Sequence, residues 1–227
     1  MLAVVVVLAA AIPISSYFRR EPVADLILAI RRGENEDASA AIACGIGRER
    51  YFDYKMNGWY FPIHQASAYG RITLVNQLID VGADPNQVDY LGRTPIMWVV
   101  DSYEPEYEPK CAAGQLACLR RLVDGGASLE LNSAPFGEAA LHMAAGYGDS
   151  AMVSELITLG ADVNVRRADG NTPLHEACVA RMGDPERVVR ILLAAGADPS
   201  VRNDASETPR DSALEEGRAD LAELLIK

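Results

Sequence analysis

Several features that would indicate an enzyme or a metalloprotein are missing from this sequence. Only three of its 227 residues are histidine and four are cysteine, and the absence of a Cys-x-x-Cys pair argues against a zinc site. The chain also lacks a Gly-x-Ser-x-Gly elbow, a Gly-x-x-x-x-Gly-Lys phosphate loop and a His-Glu-x-x-His pair. We therefore predict no catalytic residues, no metal, no cofactor and no small-molecule substrate.

Basic residues are also in the minority. The chain has 21 lysines and arginines against 32 aspartates and glutamates, which gives a formal net charge of −11. A protein that neutralises nucleic-acid phosphates needs a dense basic face, and this composition does not favour one. Nucleic acid is accordingly not expected as a partner.

Glycines recur along the chain at nearly constant intervals. One glycine ends a short apolar segment in each interval, and these glycines are Gly45, Gly82, Gly126, Gly160 and Gly196. They lie 37, 44, 34 and 36 residues apart, and another glycine precedes each of them by 12 or 13 residues. This spacing indicates a repeated unit of about 33 residues with local insertions.

Each unit has the pattern of two short helices. Thr172 and Pro173 start a helix, because threonine can accept hydrogen bonds from free N–H groups and proline presets φ. Leu174 and Ala177 then share one face, and a second apolar stripe ends at Gly196, which tolerates the left-handed conformation of a helix end. Two such helices cannot bury their apolar faces alone, so neighbouring units must stack.

The motif Thr172–Ala177 reads Thr-Pro-Leu-His-Glu-Ala, and altered copies begin at Phe61, Thr94, Ala139 and Thr208. On these copies the chain resembles the ankyrin-repeat family over roughly residues 22–227. The resemblance implies an all-α repeat solenoid of about six stacked helix-turn-helix units, including degenerate caps, joined by hairpin-like turns. It also implies a non-catalytic scaffold or adaptor that binds a protein partner, of unknown identity, through its concave face and turn tips.

We divide the chain into three parts: residues 1–20 as a hydrophobic anchor or signal segment, 21–57 as an N-terminal capping repeat with a widened connection, and 58–227 as repeats with an insertion near 101–113. The last copy is polar at Arg210, Asp211 and Ser212. A terminal cap that faces water has this character, so we expect the array to end at Lys227.

The first 18 residues form an apolar segment that contains an unbroken apolar run from Leu2 to Ile12. As a helix, about 18 residues would reach roughly 27 Å, which makes a membrane span marginal. No basic residue precedes the run, whereas Arg19 and Arg20 follow it, which favours a retained anchor with the array on the cytoplasmic side. The alternative is a signal peptide cleaved near Ala9–Ala11, which would export the array to the periplasm or the extracellular space.

All three histidines, His64, His142 and His175, occupy the same place in the repeat. A shared position favours a structural role over a general base or a metal ligand. Met97 and Asp211 stand at this place in two other copies, where the local hydrogen bonding must differ.

The largest departure from the repeat is an insertion of about 11 residues before Gly114, with Tyr-Glu-Pro at Tyr103 and again at Tyr107. Proline and glutamate indicate a solvated loop between the two helices of its unit. The candidate partner-binding residues in it are Tyr103, Glu104, Glu106 and Tyr107. Such a loop would favour a basic partner, although a tolerated surface insertion and, less expected, an enzyme or inhibitor that uses these glutamates are the alternatives.

Trp98 occupies the fifth place of the repeat motif, where Gln65, Met143 and Glu176 stand in other copies. The resemblance places this position on the concave face, where Trp98 would be a binding hot spot whose replacement weakens partner capture without unfolding the protein. Packing in the core around the insertion is the alternative.

The resemblance also implies a contact surface along the turns that link the units. The candidates there are Tyr90, Leu91, Phe136, Arg166, Arg167 and Arg202. Their character changes from apolar to basic along the chain, which would orient an extended partner. Ordinary solvated turns are the alternative.

The cysteines leave the compartment open. Cys44 and Cys178 fall on helical segments and are expected to be buried thiols. Cys111 and Cys118 flank Gly114, and a disulfide between them is conceivable only in an oxidising compartment.

Overall fold

A computed structural model describes residues 22–53, 58–101, 112–133 and 137–226. The predicted anchor or signal segment, most of the predicted insertion and Phe136 lie outside this part, so the predictions for them stay predictions. Within it, short helices follow one another in pairs, and the predicted all-α repeat solenoid is confirmed.

The described residues form six helix pairs, one for each unit. The pairs are α1 (Pro22–Arg32) with α2 (Asn35–Ala43), α3 (Pro62–Ala68) with α4 (Ile72–Asp80), α5 (Pro95–Val100) with α6 (Ala112–Asp124), α7 (Ala140–Gly146) with α8 (Ser150–Thr158), α9 (Pro173–Val179) with α10 (Pro185–Ala194), and α11 (Pro209–Glu215) with α12 (Ala219–Leu224). The first helix of each unit contacts the first helix of the next.

A small hairpin interrupts the helices in the widened connection between the first two units. Strand β1 (Tyr51–Asp53) pairs antiparallel with β2 (Gly58–Tyr60), and Tyr51 lies opposite Tyr60. Tyr60 is fully buried and belongs to a separate apolar cluster with Ile27, Ala68, Tyr69 and Trp98. The sequence pattern indicated a widened connection but not its strands.

The helix starts follow the Thr-Pro pattern. Proline occupies the first turn of α3, α5, α9 and α11, where its missing N–H leaves no helical hydrogen bond unmade. Thr94 Oγ1 accepts from the backbone N–H of Met97 at 3.4 Å, and Thr208 Oγ1 accepts from that of Asp211 at 3.2 Å. These caps satisfy donors that would otherwise lie unpaired near the core.

The core runs through all the units as one apolar cluster. The residue at the sixth place of the motif is always at most 1% exposed; this set comprises Ala66, Val99, Ala144, Ala177 and Ala213. Alanine at four of these places lets adjacent first helices approach closely. The second helices add larger residues, among them Leu78, Leu122, Leu156 and Leu192, all with no exposed surface.

Two turns on adjacent units touch at Gly148 and Gly183. The backbone N–H of Asp184 donates to Gly148 O at 2.9 Å. A Cβ on either glycine would collide with backbone carbonyl groups of the other turn, and both have positive φ, 65° and 66°. Only glycine fits this contact without backbone movement.

Each histidine links two units. The backbone N–H at the start of its own helix donates to Nδ1, from Phe61 to His64, from Ala139 to His142 and from Thr172 to His175, at 3.1 to 3.2 Å. Nε2 lies 3.1 Å from a carbonyl oxygen just before the first helix of the next unit; the three oxygens belong to Arg93, Asn171 and Glu207.

This geometry requires a neutral ring. Nδ1 must be unprotonated to accept the N–H, and Nε2 must carry the proton to donate to the carbonyl. Burial lowers the pKa of His64 and of His142 to about 4, and it also lowers that of His175. The histidines therefore have structural partners on both ring nitrogens, as their shared position predicted.

Two copies depart from this arrangement. Met97, only 1% exposed, offers no ring nitrogen and packs in the core. Asp211 replaces the ring with a carboxylate, whose Oδ2 accepts from Thr208 N at 2.9 Å and from Thr208 Oγ1 at 2.7 Å. The backbone hydrogen bond from Thr208 holds the pKa of Asp211 below its usual value.

The cysteine predictions are confirmed only in part. Cys178 is fully buried, and burial raises the pKa of its thiol to about 12. Cys44 is exposed, because Ala38 and Ile42 form the buried face of α2, so the prediction of a buried thiol was wrong there. Cys118 is a free and fully buried thiol. Cys111, its possible disulfide partner, lies outside the described residues.

We expect the array to lose stability between pH 6.5 and pH 4. Unfolded histidine has a pKa near 6.5, above the folded values, so the unfolded chain binds protons first and folding weakens as the pH falls. At pH 5 the loss should be about 2 kcal/mol for each of His64 and His142. Urea unfolding followed by circular dichroism at several pH values measures it.

The matched control is His142→Gln, because glutamine does not titrate but can still accept the N–H at the helix start. Its unfolding free energy should depend less on pH than that of the unmodified chain. The comparison also separates the histidines from Glu138 and Glu176, whose raised pKa acts in the opposite direction. Equal pH dependence in the two proteins would contradict the assignment to histidine.

Candidate functional site

The turn tips are hairpin-like, as predicted. In the turn before α5 the backbone N–H of Asp89 donates to Arg93 O at 2.9 Å. Arg167 pairs in the same way with Asn171 O at 2.8 Å, and Asn203 with Glu207 O at 3.0 Å. Each tip therefore ends at one of the carbonyl-bearing residues that a histidine of the preceding unit binds.

Four partly exposed apolar residues lie together at the first described tip and the adjoining hairpin. Trp59, Val88, Tyr90 and Leu91 are 40%, 44%, 39% and 39% exposed. Tyr90 joins the two segments, because its N–H donates to Trp59 O at 2.9 Å and its ring packs where a side chain at Gly58 would lie. We call these four residues the apolar tip patch.

Trp59 was not among the predicted binding residues. The guanidinium of Arg50 lies over its indole ring, with Cζ 4.6 Å from the ring centroid. The signal that could have identified it is a tryptophan between Gly58 and Tyr60, at the outward-facing place of a short strand. The sequence pattern did not predict this strand, so the alternation of buried and exposed residues along it could not be recognised.

The predicted basic tips differ in how available their charges are. Arg166 is exposed, and its Nη2 donates to Arg202 O at 3.0 Å. Arg202 is also exposed, with its side chain 62% accessible. The side chain of Arg167 is only 22% exposed and turns inward to carboxylates. The basic character expected at the surface is therefore carried by Arg166 and Arg202 rather than Arg167.

Trp98 is buried. Only 4% of the residue is exposed, and its ring lies 5.1 Å from Tyr60 and 5.4 Å from His64, centroid to centroid. Its Nε1 donates to Asp89 Oδ2 at 2.9 Å. The structure therefore favours the alternative that Trp98 packs in the core. Little of the indole is open to a partner, and its removal would leave a cavity beside the hairpin.

Asp89 connects Trp98 with the tip. Its side chain has no exposed surface and accepts hydrogen bonds from the backbone N–H groups of Leu91 and Arg93, each at 2.8 Å. Arg93 also donates from Nε to Asp89 Oδ2 at 2.9 Å and from Nη1 to Asp101 Oδ2 at 2.8 Å. One buried carboxylate thus fixes the tip, the indole and the arginine at once.

A groove lies between α7 and α9, on the helices that carry the predicted concave positions. Its volume is about 300 Å³. Apolar atoms form much of its wall, from Met143, Gly146, Tyr147, Val179, Ala180 and Met182. Glu138, Glu176 and Arg181 complete the lining. We call this cavity the α7–α9 groove.

One end of the α7–α9 groove is acidic. Arg167 Nη1 lies 3.2 Å from Glu176 Oε1 and 3.9 Å from Glu138 Oε1, while Nη2 pairs with Asp169. Burial raises the pKa of Glu138 and of Glu176, and the neighbouring carboxylates raise them further. Counting only described residues, three carboxylates share one guanidinium, which leaves an excess of negative charge at this end of the groove.

Tyr147 lines the groove, and its OH donates to Oδ1 of Asp101, the residue that follows α5, at 3.2 Å. Burial and the Asp101 carboxylate raise the pKa of Tyr147 to about 12.

Among the described residues, no three His, Cys, Asp or Glu side chains are grouped so that they could hold a metal ion. In the same part of the chain, no helix is long and apolar enough to cross a membrane.

Two family models match the chain. A model of ankyrin repeats in three copies matches residues 110–203, and a single ankyrin-repeat model matches residues 60–90. Together they cover more than half of the sequence.

Individual relatives are similar over most of the chain. The putative ankyrin repeat protein YahD of Escherichia coli (strain K12) is 29% identical over 89% of this chain and 94% of its own length. Ankyrin repeat and SOCS box protein 16 of Homo sapiens is 30% identical over 90% of this chain. NF-kappa-B inhibitor delta of Mus musculus is 32% identical over 65% of this chain. The chain spans only 43% and 50% of the latter two relatives.

Asp89→Ala should destabilise the array by about 3 to 5 kcal/mol, because it leaves Arg93, the Trp98 indole and two backbone N–H groups without their buried acceptor. The control is Asp84→Ala, which removes an exposed carboxylate that accepts from Asn86 N at 2.8 Å in another turn. We expect about 1 kcal/mol or less there. Urea unfolding of both variants measures the difference, and equal losses would contradict the role given to Asp89.

Proposed function

The chain belongs to the ankyrin-repeat family, and from this premise we propose that it is a non-catalytic adaptor that binds a protein partner through the apolar tip patch and the concave face. Ankyrin repeats form protein–protein interaction modules, so a protein partner follows from the family. The choice of surface rests on this chain, because the fold alone does not specify a function.

The apolar tip patch is the observation that supports this choice. Trp59, Tyr90 and Leu91 offer apolar area on a tip held in place by the buried Asp89. Large side chains on a preorganised segment lose little entropy on binding, and aromatic residues are enriched at interface centres.

The second helices have a different surface. Arg120 Nε on α6 lies 2.6 Å from Glu155 Oε1 on α8. Within α10, Arg190 Nη2 lies 2.7 Å from Glu186 Oε1. Exposed ion pairs keep a surface solvated and contribute little to stability. The contrast with the apolar tip patch supports a partner on the side of the array that carries this patch.

We predict that the insertion extends the proposed surface. Its candidate residues come between α5 and α6 in the sequence; they are Tyr103, Glu104, Glu106 and Tyr107. These two helices form the third unit, and the tip of that unit carries Tyr90. Phe136 precedes α7 in the corresponding place of the next unit.

Replacing Trp59 and Leu91 together by alanine should reduce partner capture at least about tenfold, because hot-spot residues each contribute more than about 1 kcal/mol. Capture from native cells by the tagged full-length chain, quantified by mass spectrometry, measures this. The control is Leu214→Ala, which removes a 45% exposed apolar side chain from α11. Partners retained by the tip variant and lost from the control would contradict the proposed surface.

We also propose that residues 1–18 tether the array to a membrane, with the array on the cytoplasmic side. The apolar run followed by Arg19 and Arg20 supports this topology. We expect a C-terminal tag to resist protease added outside intact cells and the protein to keep its full mass. Digestion of the tag, or a mass lacking roughly the first 11 to 16 residues, would instead indicate export after signal cleavage.

A further inference from the structure

We propose that the α7–α9 groove receives a lysine or arginine side chain of the protein partner. The inference rests on the proposed function, because it names the chemistry that the partner presents at one site of the concave face. It is carried by the shape and lining of the groove together with the charge at its end.

The groove has the two-part chemistry of a long basic side chain. Met143, Val179 and Met182 supply apolar surface along the wall, and Met182 is 52% exposed. Lysine and arginine bury their methylene stems against apolar atoms while the cationic head stays with polar groups. An entirely apolar side chain would fit the wall but would remove Glu138 and Glu176 further from water without adding a positive charge beside them.

Among the residues that the structure describes, Arg167 is the cation that pairs with the carboxylates at the acidic end. The side chains of Glu138 and Glu176 are 26% and 13% exposed, so neither carboxylate is fully solvated. Arg167 is shared between them and Asp169. The raised pKa of both glutamates has the same cause, since burial and repulsion disfavour their charged forms. A second cation would offset the repulsion and favour the charged forms of both glutamates.

In the described part of the chain, Arg181 also lines the groove, but its charge does not fill this place. Arg181 is 81% exposed at its side chain, and its Nη2 lies 2.9 Å from Glu216 Oε2, so its charge is directed towards the last unit. An acidic partner side chain would meet repulsion from Glu138 and Glu176. Charge complementarity therefore selects a basic occupant.

Gly146 leaves the floor of the groove open. A Cβ on this residue would lie 3.9 Å from both Cβ and Oε2 of Glu176, so a side chain there would extend towards the carboxylate. Gly146 is the last residue of α7 and does not have a positive φ. A larger side chain can thus fill the groove without changing the charge or straining the backbone.

The test is a selection of random 12-residue peptides displayed on phage against the immobilised full-length chain. We expect the selected peptides to share a lysine or arginine. A selected peptide is then synthesised, with a matched version in which norleucine replaces the lysine or citrulline replaces the arginine. The neutral version should bind at least about tenfold more weakly by fluorescence polarisation.

Three protein variants locate the effect. The double variant Glu138→Gln with Glu176→Gln should weaken the basic peptide about tenfold and leave the neutral peptide nearly unchanged, which is the signature of a direct pair in a double-mutant cycle. Gly146→Leu should weaken both peptides. Glu186→Gln removes one carboxylate charge from the outer surface of α10 and should change neither. Thermal unfolding of each variant checks that the array is intact.

Selected peptides that need no basic residue, or that bind the double glutamine variant equally well, would overturn the inference while leaving the proposed function in place. Failure of the chain to select any peptide above background would also overturn it. The proposed function is judged separately by partner capture with the Trp59 and Leu91 variant, so the two can fail independently.

Discussion

The hydrogen bonds of the buried histidines fix the spacing at three of the five contacts between described units. One ring accepts the N–H at the start of its own helix and donates to a carbonyl just before the next unit, so each ring fixes both a helix end and a distance between units. The carbonyls of Arg93, Asn171 and Glu207 that receive these bonds also end the turn tips. Neutral rings and stacked units therefore both help to hold the tips in position.

The third unit keeps the stack without this device. Met97 stands in place of the histidine, and other polar groups link the first helices: Gln115 Nε2 donates to Ala68 O and Val99 O, each at 3.3 Å, and Tyr147 OH donates to Asp101. Asp101 in turn receives Arg93, which Asp89 holds. The unit that departs most from the repeat thus has its own network, and this network also supports the apolar tip patch.

The sequence was sufficient to predict the units, the Thr-Pro helix starts and the structural histidines, because these depend on residues within about six positions of one another or on their recurrence. Trp98 was not predictable in this way, since its burial depends on Tyr60 and Asp89, which reach it from a strand and a turn. Arg167 was expected at the surface, but Glu138 and Glu176 hold it, and the latter belongs to the next helix. Partners that meet only after the units stack are not encoded in the local pattern.

The two proposed contacts make different demands on a partner. The apolar tip patch lies on the second unit's hairpin and the third unit's tip, whereas the α7–α9 groove lies between the fourth and fifth units. Apolar contact supplies affinity with little orientation, while a charged head at the end of a groove fixes register. A partner that engages both must extend along several units and present apolar groups ahead of a basic one. The asymmetry between the two contacts therefore sets the direction of such a partner along the array.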